Sequence, residues 1–396
     1  LAPVDAKPIA RRPVWAGGRW QNAPFYQRDD LTPGTKVTGP AVILESTGTT
    51  VLEPGWEAAM TERLHLVLER VEALDRDHAI GTEADPVRLE LFNNRFMSIA
   101  EQMGAALENT AYSVNIKERL DFSCAIFDPE GFLCANAPHM PVHLGSMGEA
   151  VRSIIRTRRA TMKPGDVFVQ NAPYNGGTHL PDITVIAPVF DESGGTPEII
   201  FYVASRGHHA DIGGKTPGSM PPDSVHIEEE GVLIDDFLLV DGGLILEKEF
   251  AELMLSGPYP TRNVDQNIAD LRAQIAACER GIQEVRGMVE QFGLDVVQAY
   301  MRHVQDNAEE QVRRVIDRIG DGQFRYELDD GSAVQVAISV DREARSACVD
   351  FTGTSEQQPS NFNAPSAVAR AAVLYVFRCL VADDIPLNDG VLKPLD

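Results

Sequence analysis

Residues 171–214 constrain this chain more than any other stretch. They read NAPYNGGTHLPDITV, then an apolar pair of runs, then SRGHHADIGG. The runs ITVIAPVF (183–190) and EIIFYVAS (198–205) are rich in β-branched and aromatic residues, and ESGGTP between them supplies turn residues. The segment therefore predicts a β-hairpin. Antiparallel pairing would set the loop holding His179 and Asp182 beside the loop holding His208, His209 and Asp211. Imidazoles and carboxylates without a thiolate suit Mn, Fe, Zn or Mg rather than a structural Cys-zinc site. A single histidine in a loop is more often a satisfied structural residue than a ligand. Here six of the nine histidines lie between His139 and His226, and that clustering favours a metal site.

Length and charge narrow the function classes. A chain of 396 residues holds two or three domains. Its formal net charge of −24 argues against a nucleic-acid groove, which needs a basic face. An anionic substrate would accordingly need a local cationic pocket. No apolar run of about 18 residues suggests a membrane span, and no basic segment followed by an apolar one suggests a signal peptide. The five cysteines are scattered, with no CxxC spacing, as expected of reduced thiols in a cytoplasmic protein. A first residue of Leu1 and an ending NDGVLKPLD suggest a piece of a longer polypeptide.

The predicted organisation is α+β, with mixed β-sheets, a long helical hairpin and several domains. Residues 1–71 read as short strands (42–44, 50–52, 64–68) between Pro/Gly turns, with too little apolar surface to fold alone. Residues 72–84 form a polar linker, and residues 85–396 form the main domain. Asp85-Pro86 should open a helix whose buried stripe is Phe92, Phe96, Ile99, Met103 and Leu107. A hairpin SCAIF-DPEG-FLCAN follows, then a loop with His139 and His143, then a helix over 147–159. After the central hairpin come a long loop (216–237) and helices over 263–292 and 294–319. Strands over 323–352 and a final helix over 364–381, apolar all round and so buried, complete the chain. The charge run Glu228–Glu230 reads as solvated, with its apolar neighbours leaving open that one carboxylate faces the site.

KERLDFS adds the carboxylates Glu118 and Asp121 beside Lys117 and Arg119, which could equally be an exposed charged turn. There is no GxxxxGK[ST] and no GxGxxG, hence no nucleotide cradle, and neither SxxK nor GxSxG offers a serine nucleophile.

The stretches FNNRFMSIAEQMG, NTAYSVNIKERLDFSCAIFD, HMPVHLGSM, GGTHLPDITV, ASRGHHADIGG and GSMPPDS…IEEEGVLID resemble the hydantoinase B/oxoprolinase family, nearest its ATP-hydrolysing 5-oxoprolinase branch. RDDLTPGTKVTGPAVILESTGTTVLEPGW resembles the closing segment of the hydantoinase A domain, and an A tail fused to B disfavours the separate-subunit carboxylases. The resemblance implies an absent A domain that binds ATP and phosphorylates the lactam oxygen of 5-oxoproline. The B domain would then hydrolyse the activated ring to glutamate. It also implies a divalent metal on Glu118, His179 and Asp182, since related acetone-type carboxylases look to use a Glu with an HxxD pair. His208 or His209, with Asp211, would position water or carry protons. Arg206, Lys117 and Arg119 would bind the substrate carboxylate. A homo-oligomer is expected. Many relatives read NDPY where this chain reads NAPY, so a carboxylate role at Ala172 does not carry over. An N-methylhydantoinase, an acetone-type carboxylase subunit, or a non-catalytic scaffold for the A domain are the competing readings.

Overall fold

The computed structural model describes residues 4–72, 82–136, 140–381, 385 and 387–396. The linker expected over 72–84 lies largely outside them, as does His139. The chain divides into two compact units, 1–79 and 80–396.

The first unit is β-rich, with one short 3-10 turn at Arg28–Asp30 among its described residues. Strands β1 (Val4–Asp5), β4 (Thr35–Thr38), β7 (Trp56–Met60) and β8 (Leu66–Arg70) form one sheet. Strands β2 (Ala10–Ala16), β3 (Arg19–Gln27), β5 (Ala41–Leu44) and β6 (Thr49–Leu52) form another. Leu31, Val37, Ile43, Leu52, Ala58 and Met60 are buried together.

The second unit is built on a seven-stranded sheet in the order β10-β9-β13-β12-β11-β14-β15. The strands are β9 (Phe122–Phe127), β10 (Leu133–Asn136), β11 (Val167–Gln170), β12 (Asp182–Asp191), β13 (Glu198–His208), β14 (Phe237–Asp241) and β15 (Leu244–Ile245). The hairpin expected from residues 183–205 is β12–β13, antiparallel, with Asp182 opposite His208. Its near-continuous apolar sequence has a direct cause, because both faces are covered. Phe201 and Val203 meet one core, which includes helices α1 (Pro86–Thr110), α5 (Val264–Phe292) and α6 (Leu294–Ile316). Tyr202 and Ala204 meet the other, against α3 (Pro141–Arg158).

Helix α1 begins as expected: the Asp85 carboxylate accepts the Arg88 amide at 2.9 Å, and Pro86 takes the first turn. Its stripe of Phe92, Phe96, Ile99, Met103 and Leu107 is buried throughout. The long pair α5 and α6 is interrupted only at Gly293, whose φ of 88° a side chain rarely adopts. Three expectations need correction. Helix α3 starts at Pro141, not near Met147, because proline is preorganised for a first helical turn. His143 therefore sits on a helix rather than in a loop. The last helix, α7 (Ser366–Leu380), buries only Ala367, Ala371, Leu374 and Phe377, and leaves Tyr375, Val376 and Leu380 exposed. Finally, Glu229 and Glu230 tie down their own loop: Glu229 accepts the Val225 amide and Glu230 the Ser224 hydroxyl. Strands β16 (Gly322–Glu327), β17 (Ala333–Asp341) and β18 (Ser346–Asp350) form a small antiparallel sheet packed on α6 and α7.

Candidate metal centre

The site forms where β12 starts, β13 ends and α3 begins. The loop before β12 turns sharply at Gly176, with φ of 92°, where a Cβ would lie 2.2 Å from the Ala150 amide nitrogen. Asn171 braces the same loop. Its side chain donates to the Leu180 carbonyl at 2.8 Å and the Val232 carbonyl at 3.0 Å, and accepts the Ile234 amide at 2.7 Å. These contacts deliver Thr178 and His179 to the head of β12.

Asp182 is the hub and is buried. One carboxylate oxygen, Oδ1, lies 3.0 Å from His179 Nε2 and 3.1 Å from His208 Nδ1. Those two nitrogens are 3.1 Å apart. The other oxygen, Oδ2, accepts from the Thr178 hydroxyl and lies 3.1 Å from His143 Nε2. His143 is itself backed by Ser123, whose hydroxyl is 3.0 Å from Nδ1. Burial disfavours the ionised form of Asp182, but the His143 ring and the hydrogen bonds from His143, His179 and His208 outweigh it. The carboxyl is held well below its usual range. His179, half-buried, loses charge stability to burial, yet Asp182 more than restores it and raises its pKa.

Two overlapping groups of possible ligands result: His179, Asp182 and His208, and Asp121, His143 and Asp182. In the first, the three donor atoms form a triangle with sides of 3.0–3.1 Å. Ligands at about 2.1 Å from one cation, adjacent at right angles, stand about 3 Å apart. Two nitrogens and a carboxylate oxygen at that spacing fit a divalent ion.

The structure brings His179, Asp182 and His208 together, as the hairpin implied. Glu118, expected as the third ligand, is exposed at the end of the short helix α2 (Val114–Lys117) and falls outside both groups. Leu120 adopts a left-handed φ of 55°, and the carboxylate of that segment that reaches the histidines is Asp121, 3.8 Å from His208 Nδ1. Lys117 and Arg119 are likewise exposed.

Packing gives three further expected site residues other partners. His209 faces away from the cluster: Nδ1 accepts from the Asn267 amide at 3.1 Å, leaving Nε2–H to donate to the Gln274 carbonyl oxygen at 3.0 Å. Burial lowers its pKa despite Asp270 and Gln274 nearby. Asp211 accepts from the Gly213 amide at 2.9 Å and pairs with Arg262 at 2.8 Å, holding a loop rather than a water. Arg206 is fully buried. It donates to Thr184 Oγ1 at 2.7 Å, to the Gly176 carbonyl at 2.9 Å and to the Ser146 hydroxyl.

Sequence reasoning also missed a buried polar spine on α5. Asn267 and Gln274 clasp His209, and Asp270 accepts the Tyr112 and Ser113 amides at 2.8 and 3.0 Å, fixing the start of α2. The signal was available as polar residues at spacings of three and four beside the apolar stripe. That pattern places Asn267, Asp270 and Gln274 on one face.

The architecture and the A-tail-plus-B organisation converge on a family. The hydantoinase B/oxoprolinase model matches residues 85–396, and the hydantoinase/oxoprolinase C-terminal domain model matches residues 2–71. The chain belongs to the hydantoinase B/oxoprolinase family. It is 44% identical to 5-oxoprolinase 1 of Arabidopsis thaliana, with all of this chain and 33% of that protein aligned. It is 42% identical to 5-oxoprolinase of Saccharomyces cerevisiae, covering 95% of this chain and 30% of that one. The chain thus spans about a third of the length of these curated relatives. The fold matches the ATP-dependent caprolactamase of Pseudomonas jessenii with a TM-score of 0.70 at 24% identity, over 79% of this chain and 54% of that one. It also matches acetone carboxylase with a TM-score of 0.69 at 18% identity, over 82% and 44%.

Proposed function

We propose that this chain is part of an ATP-dependent 5-oxoprolinase, which opens the lactam ring of 5-oxo-L-proline to L-glutamate as ATP is hydrolysed. The observation that carries the reading is the alignment of relatives named 5-oxoprolinase along the whole chain, across both the A-type tail and the B-type unit. A hydantoinase A-like domain of the same polypeptide would bind ATP and activate the ring. The B unit would then cleave it, and a cytoplasmic homo-oligomer is the expected setting.

His179, Asp182 and His208 are the residues that would hold a divalent cation, with Asp121 beside them. Such an ion supplies Lewis acidity and an acidified water at neutral pH. Charge favours one ion over two. Asp121 and Asp182 contribute two negative charges and Arg206 one positive, so a single divalent ion leaves a small net positive charge. That charge suits an anionic substrate inside an acidic protein. Thr178 and His143 hold Asp182 in place through its other oxygen. Lys117, Arg119 and Glu118, exposed on the segment leading to Asp121, remain available to a substrate entering from solvent. The test is full-length protein assayed with 5-oxoproline, hydantoins and ketones for phosphate and product, alongside metal analysis. Turnover of a ketone or hydantoin in preference to 5-oxoproline would sink the assignment, and absence of a stoichiometric ion would sink the metal centre.

A further inference from the structure

We infer that Arg206 is a positioning residue for the metal centre, a side chain on β13 that bonds to three neighbouring elements around it. The inference rests on the metal reading above. Arg206 lies on β13, two residues before His208. Its guanidinium donates to Ser146 on α3, the helix of His143, and to Thr184 on β12, the strand of Asp182. It also donates to the carbonyl of Gly176 in the loop that carries Thr178 and His179. One planar fork thus sets the mutual placement of His143, Asp182, His179 and His208.

Stability does not account for this residue. A wholly buried guanidinium whose bonds go to neutral oxygens carries a large desolvation penalty. An apolar side chain would fill the space at less cost. What the guanidinium alone supplies is directionality, three donors in a fixed plane aimed at three different elements. Lysine keeps the charge but has a single nitrogen, so it cannot span all three acceptors.

The test uses the full-length enzyme, stripped of metal and titrated separately with Zn²⁺ and Mn²⁺ alone by calorimetry. Wild type, Arg206→Lys and Gln305→Met are compared. Gln305 is a buried polar residue of α6 that donates to Asp128 at 3.0 Å and controls for general destabilisation. The expected result is one ion per chain in wild type, binding about 10–100-fold weaker in Arg206→Lys, and unchanged affinity in Gln305→Met. Wild-type affinity in folded Arg206→Lys, or an equal loss in Gln305→Met, overturns the role of Arg206 while leaving the metal centre standing. No stoichiometric ion in wild type overturns both. If Arg206→Lys does not fold, Thr184→Val removes one acceptor and carries the same comparison: weaker binding supports the role and unchanged binding overturns it.

Discussion

Replacing His179 with Ala separates the proposed chemistry from the fold. The imidazole is 39% exposed and makes two polar contacts, to Asp182 at 3.0 Å and His208 at 3.1 Å. Asp182 keeps His143, His208 and Thr178 as partners after the change, so no buried carboxylate is stranded. The folding cost is therefore about 1 kcal/mol, the worth of an ordinary hydrogen bond, which in a chain of this size shifts the melting temperature little. The cost to ion binding is larger. Loss of one of three donors should weaken binding at least about 100-fold, given that disturbing even outer partners reaches that scale. A hundredfold is about 2.7 kcal/mol, well above the folding cost, so the variant should be folded and metal-poor. Full-length His179→Ala is assayed for metal content, melting, phosphate and glutamate in parallel. Glutamate should fall at least 100-fold while some 5-oxoproline-dependent phosphate release continues, as the activated ring decays unproductively. If both products fall together in protein that still binds ATP, or neither falls, the division of labour between the two domains is wrong.

Other outcomes follow from the same geometry. Burial works to raise the Asp211 pKa, but the Gly213, Gly218 and Arg262 amides and the Arg262 side chain lower it on balance. Its stabilisation is therefore full above the unfolded carboxylate value of about 4 and lost as pH falls below it. Urea midpoints of wild type and Asp211→Asn should differ at pH 7 and draw together as the pH falls below the ordinary carboxylate range; a constant gap would refute the argument. His209→Asn should lower the melting temperature, because Gln274 and Asn267 lose a shared partner, yet leave metal content intact. Loss of the ion in that variant would return His209 to the centre. Gly176→Ala combines a left-handed φ of 92° with a contact of 2.2 Å, and should destabilise by more than the roughly 1–2 kcal/mol of the backbone penalty alone. A neutral effect in chemical denaturation would show that the loop can shift.

The hairpin, the helix stripes and the pairing of the two His/Asp loops were legible because periodicity and turn residues are local signals. Asp182 facing His208 follows from strand register alone. What was not legible depended on where side chains point once packed. Sequence cannot tell that His208 turns toward Asp182 while His209, its neighbour, turns to α5, although strand alternation requires that they face opposite ways. Nor does an arginine beside two histidines announce that it is buried. Arg206 resembles a substrate anchor in one dimension and is a tie beam in three. Glu118 and Asp121 share a short charged run, and only the left-handed turn at Leu120 decides which one reaches the cluster.

Helix α3 crosses α7 so closely that a Cβ on Gly145 would lie 2.4 Å from Ala371 Cα, and Arg152 of α3 pairs with Asp389 at 3.1 Å. The consequence lies in the order of synthesis. All the donor groups have left the ribosome once His208 has, but the helix carrying His143 meets its last neighbours only when Asp389 emerges, roughly 180 residues and ten to forty seconds later at typical elongation rates. During that interval the imidazoles exist without their final scaffold. Any ion held at this cluster would thus meet a pocket completed late, rather than the donor groups as they first emerge.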